Sequence, residues 1–149
     1  MKTGAEISPD EARGIAVFEG LSETDLHRLL ERSRAVSFSP GESIFTRGET
    51  GCSFYVITSG KARVDVGGRY HDLTKGDLVG EMAALTSQPR MATVRVMHEV
   101  DAIEIDCGSD TDAFLMEHPA LAVRIIKILV GRLREVEDRL DAWMGIHRA

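Results

Sequence analysis

A chain of 149 residues, 43% hydrophobic and 28% charged, is long enough to bury a core of its own and reads as a single domain over residues 1–149. Its formal net charge of −6 argues against the basic stripe of a nucleic-acid surface, so no nucleic-acid partner is expected. The opening MKTGAEISPDEA lacks the apolar run of a signal peptide, and no stretch approaches the ~18 apolar residues of a membrane span, so a cytoplasmic protein without membrane insertion is expected.

Ser8-Pro9-Asp10-Glu11 has the residues of a helix start, a capping hydroxyl followed by proline at the first position. Ser22 to Asp25 is a second start, and Leu26, Leu29 and Leu30 give its helix one apolar face. The character then changes. From about 35 to 106 the segments are short, rich in Val, Ile, Phe, Tyr and Thr, and separated by glycines at intervals that suit turns. Ala62 to Val66 alternates as a half-buried strand does, and Gly67-Gly68 makes a two-residue hairpin turn into Arg69 to Leu73. The spacing indicates an all-β sandwich, roll or barrel of about eight strands. Cys52 and Cys107 lie far apart without a CxxC, which suits two reduced thiols rather than a disulfide or zinc site.

Two C-terminal helices follow, over about 109–144. Ser109 or Asp110 caps the first, and Pro119 opens a longer one running to about Met144. In it Ala122, Ile126, Leu129, Leu133, Val136, Leu140 and Trp143 keep the 4-3-4-3 rhythm of a coiled-coil seam, about three heptads long. Up to Val130 the helix is apolar on nearly all sides, which predicts that its first half packs on the β unit. Beyond Arg132 only the seam stays apolar, and Leu133 to Trp143 is expected to meet a second copy or an effector.

The stretch from Gly76 to Val96, GDLVGEMAALTSQPRMATVRV, carries the chemistry. Gly80 lets backbone approach a ligand without a Cβ in the way. The residues after it start a helical turn whose free amides would face an anion. Arg90 brings a planar, permanently charged fork suited to phosphate oxygens. Glu81 cannot favour that phosphate, so its task is to accept from a hydroxyl such as a ribose 2′-OH. Met82, Leu85 and Met91 suit core or pocket wall.

With GEMAALTSQPRMATV set inside a glycine-punctuated β unit flanked by helices, the chain resembles the cyclic nucleotide-binding domain family from about Phe18 to Trp143. That resemblance implies a mainly β fold: an eight-stranded antiparallel, jelly-roll-like β-roll with N-terminal helices and two C-terminal helices, the last long. It implies a ligand-binding set of Gly80, Glu81, Ala83, Arg90, Met91 and Ala92. Arg90 would pair with the exocyclic phosphate oxygen, the amides of Ala83 and Met91 would complete the cradle, and Glu81 with the amide of Gly80 would take the 2′-OH. Ala84 stands where the family usually has Leu.

In that family a Thr or Ser directly after the cassette arginine often favours guanine. Met91 has no hydroxyl, so cAMP is expected ahead of cGMP. The hydroxyl pair that meets adenine in some members falls at Val136-Glu137 here, which leaves Leu133 or Val136 as an apolar base cap. The implied role is a regulatory sensor that repositions its last helix, and not an enzyme. A metal-holding cupin-type roll is the enzymatic rival. It would need paired ligands, and His27, His71, His98, His118 and His147 show no HxH or HxxxH spacing, so no metal is expected. A degenerate module that keeps the fold without binding is the other rival, and Gly80, Glu81 and Arg90 argue against it.

Overall fold

The computed structural model describes residues 1–4 and 6–145. Helix α1 (Pro9–Arg13) forms where its cap predicts: Glu11 N donates to Ser8 Oγ at 3.2 Å, and Ser8 N donates back to the Glu11 carboxylate at 3.1 Å. A 3₁₀ turn (Ala16–Phe18) and α2 (Glu23–Leu30) follow, and Asp25 N donates to Ser22 Oγ at the start of α2. The apolar face of α2 buries Leu26 and Leu29.

The described residues build one antiparallel sheet of seven strands: β1 (Lys2–Thr3), β2 (Ser33–Phe38), β3 (Ser43–Phe45), β4 (Ser53–Val66), β5 (Arg69–Leu73), β6 (Leu78–Val79) and β7 (Val94–Asp106). Their path runs β1-β2-β7-β4-β5, with β3 also on β7 and β6 also on β4. The mainly β class with flanking helices therefore stands, while the strand tally differs from about eight. Two strands are unusually long, 14 residues in β4 and 13 in β7, and each stays continuous around the roll where a turn was expected to divide it. They bend together. The β4–β7 register shifts between Ile57 and Ala62, and Gly60 sits there with φ +91°. The edge strand β1 carries no hydrophobic alternation and was not expected from the sequence.

The roll closes on a core of Val36, Phe38, Ile57, Val94, Val96 and Val100. The opposite face of the same strands, with Phe54, Val56 and Ile105, packs under the helices against Leu29, Phe114 and Leu121. Alternation along β4 and β7 explains why one pair of strands serves two cores.

Asp110, not Ser109, caps α4 (Thr111–Glu117), its carboxylate accepting from Ala113 N at 3.0 Å. Helix α5 (Pro119–Met144) starts at proline, and Gly145 closes it in the left-handed conformation. Leu121 and Ile125 are buried, and Ile128 and Leu129 are partly buried against the core. The packed face is thus offset from the heptad seam. Ile126, Leu133, Val136, Leu140 and Trp143 remain exposed, so even the first half of the helix leaves part of its seam uncovered. No helix among the described residues is long and apolar enough to cross a membrane.

Candidate cyclic phosphate and sugar site

Between β6 and β7 the chain leaves the sheet at Gly80, makes the short helix α3 (Glu81–Thr86) and returns through Pro89 and Arg90. Gly80 caps α3 with φ +82°, a conformation that L side chains rarely adopt. A Cβ on it would also lie 2.6 Å from Arg90 Nη1 and 2.9 Å from the Phe45 ring. Both backbone angle and space require glycine here. Ala84 N donates to Gly80 O, so the amides of Glu81, Met82 and Ala83 precede the first intrahelical bond.

Arg90 is 5% exposed, an unusual position for a cation. Its guanidinium donates to Gly80 O at 2.9 Å and to Ser53 O at 2.6 Å, and lies 4.4 Å from the centre of the Phe45 ring. Backbone bonds on both sides, Arg90 N to Glu49 O and Gly48 N to Arg90 O, hold the segment against the β3–β4 connection. Gly51 leaves room for it, since a Cβ there would stand 2.9 Å from Nη2. These partners are neutral: they fix the fork and leave the positive charge to be met by an anion.

The surrounding cavity has a volume of about 430 Å³ and is lined mainly by apolar side chains. Gly80, Glu81, Ala83, Arg90, Met91 and Ala92 all contribute to its wall, so the fold gathers the complete expected set around one hollow. Met82 lines it too, whereas Leu85 packs against the core under the helices. Of the two proposed base-capping residues, Val136 lines the cavity. Leu133 does not: it stands three positions before Val136 on the helix and is exposed.

Four contributors were not legible in the sequence. Val64 and His71 face each other across β4 and β5, and both line the cavity together with Val66 at the end of that hairpin. Strand alternation placed these residues on one face, but nothing local said which face would be roofed by α3. The fourth is Arg132 of α5. Its Nη1 donates to the Glu81 carboxylate and its Nη2 donates to Leu78 O at 3.0 Å. Glu81 is only 2% exposed, and a carboxylate so buried requires a cation. That requirement was a usable signal, although the identity of a partner 51 residues away was not.

Among the described residues, no group of three His, Cys, Asp or Glu side chains is placed to hold a metal. Cys107 is buried and its thiol is pushed up to about 12, chiefly by desolvation, while Cys52 is exposed; both are free thiols.

The family model for the cyclic nucleotide-binding domain matches residues 35–116, more than half of the chain. A CRP-like cAMP-activated global transcriptional regulator of Mycobacterium tuberculosis is 26% identical over 130 residues, covering 83% of this chain and 58% of that protein. A cGMP-dependent protein kinase of Toxoplasma gondii is 38% identical over 81 residues, 54% of this chain and 8% of the kinase. The crystal structure of the Thermus thermophilus catabolite activator protein superimposes with a TM-score of 0.71 at 27% identity, covering 87% of this chain and 63% of that one. The chain thus spans a little over half the length of the regulators it matches and a small part of the kinase. A buried arginine beside a left-handed glycine, the fold around them and these matches agree: the chain belongs to the cyclic nucleotide-binding domain family.

Proposed function

We propose that this chain is a regulatory sensor that binds a cyclic nucleoside monophosphate, cAMP in preference to cGMP, and reports occupancy through α5. The observation that carries this is Arg90, buried at the cavity wall with only carbonyl and aromatic partners among the described residues, so that its charge awaits an anion. A cyclic phosphodiester supplies one negative charge, the α3 amides and those of Ala83 and Met91 complete the cradle, and Glu81 accepts from the 2′-OH. The base then extends toward Val64, His71 and Val136. Preference for adenine rests on Met91, which has no hydroxyl to offer a guanine.

Calorimetric titration with both nucleotides tests this directly. Binding of cAMP about tenfold tighter than cGMP is expected, roughly one hydrogen bond's worth of discrimination. Tighter cGMP binding overturns the preference, and no heat with either overturns the sensor in favour of a non-binding interaction module.

Occupancy alters the position of α5 only if the ligand favours one of two arrangements. Val136 and Arg132 bring the helix to the cavity, while Leu133, Leu140 and Trp143 lie exposed along its outer side, where a second copy or an effector would dock. Trp143 is 85% exposed and stands seven residues beyond Val136, about 10 Å along the axis. Direct contact with the nucleotide is therefore not the source of any signal. Saturating cAMP is expected to shift or quench Trp143 emission through movement or pairing of the helix; an unchanged spectrum would remove the moving-helix part of the proposal.

A further inference from the structure

Arg132 lies outside the phosphate-binding segment, yet it is the side chain through which α5 grips the site. We infer that Arg132 is a positioning residue for sugar recognition: it aims the Glu81 carboxylate and balances its charge. The inference rests on the cyclic nucleotide reading above.

Two physical arguments support it. The first is charge. Glu81 is 2% exposed and shares its cavity with the place where an anion must sit. Arg90 and Glu81 alone would give a cavity of no net charge, and a buried carboxylate without a counter-ion would repel the phosphate. Arg132 restores one positive charge against the single negative charge of a cyclic phosphodiester.

The second argument is geometry. Arg132 Nη2 is anchored on Leu78 O at 3.0 Å, which fixes the plane of the fork. Nη1 then engages Oε1 of Glu81, so Oε2 is the oxygen that a sugar hydroxyl would donate to. A lysine has a single point of donation and cannot reach both acceptors with one planar group. Arg132 and Val136 stand one helical turn apart and both line the cavity, so any displacement of α5 moves the group that aims Glu81.

The test compares cAMP with its 2′-deoxy analogue by calorimetry on the whole chain, for the wild type, R132M and R132K. The wild type is expected to favour the ribose form by about tenfold or more. In R132M that preference falls to within about threefold, and cAMP itself binds about tenfold more weakly. R132K recovers part of the preference, and it carries the test if R132M does not fold. An R132M protein that keeps the full ribose preference would reduce Arg132 to a structural tie. One that binds cAMP more tightly would make it a competitor that the sugar has to displace. A wild type without any ribose preference overturns the inference as well. A wild type that binds neither nucleotide brings down the binding proposal and this inference with it, which separates the two failures.

Discussion

Replacing Arg90 by alanine should weaken cyclic nucleotide binding by at least a hundredfold while leaving a folded protein. Each charge-assisted hydrogen bond contributes roughly 1.5–3 kcal/mol, and the fork offers two such bonds to phosphate oxygens in a cavity lined mainly by apolar side chains. At ~1.4 kcal/mol per factor of ten, the loss comes to two or more decades. The fold should survive because the terms in the empty protein oppose one another. Alanine abandons Gly80 O, Ser53 O and the Phe45 face, but it also removes a cation that is only 5% exposed. Desolvating a charge costs about as much as its hydrogen bonds return. Calorimetry with a parallel thermal melt separates the two consequences. R90K keeps the charge but cannot hold both carbonyls and the ligand with one planar group, so it should fall between wild type and alanine. Binding by R90A within threefold of wild type would mean that the anion is met elsewhere.

What the sequence revealed and what it concealed divides along one physical line. Features fixed by neighbours in the chain were legible. The Ser8 and Ser22 caps, the Gly67-Gly68 hairpin, the helical turn after Gly80 and the proline start of α5 each need only a few consecutive residues. Features fixed by distant pairing were not. The bend of β4 and β7 is a joint property of two strands about 40 residues apart, so two continuous strands were expected to be separate ones. Which face of α5 would be covered also depends on a partner surface. The helix is apolar nearly all round up to Val130, and Leu121, Ile125 and Ile128 won the contact with the core while Ile126 stayed exposed. Arg132 shows the same limit at the site. Glu81 could be seen to need a cation once buried, but α5 offers Arg124, Lys127, Arg132, Arg134 and Arg139, and only the fold chooses among them.

The second large effect concerns Gly60, at the joint bend of the two long strands. Its φ is +91°, and a Cβ on it would stand 2.0 Å from Glu99 O and 2.9 Å from Val100 Cα. Both neighbours are backbone of β7, so no side chain can swing aside to make room. The register explains the crowding: Ser59 pairs with Asp101 and Lys61 with His98, so Gly60 alone opposes both Glu99 and Val100. Gly60→Ala therefore incurs two costs. Positive φ on an L residue costs on the order of 1–3 kcal/mol. Forcing β4 away from β7 to relieve the contact costs about as much again. The sum, roughly 2–6 kcal/mol, would lower the melting temperature by about 10 °C in a domain of this size. Gly76→Ala isolates the contact. Gly76 has an almost identical φ of +92° but open space around its Cβ position, so it bears the torsional cost alone. Thermal or denaturant unfolding of the two variants side by side should show Gly60→Ala losing about twice as much stability. Equal losses would mean that β4 and β7 part freely at the bend. The roll would then have a hinge between its two cores, where these contacts describe a rigid corner.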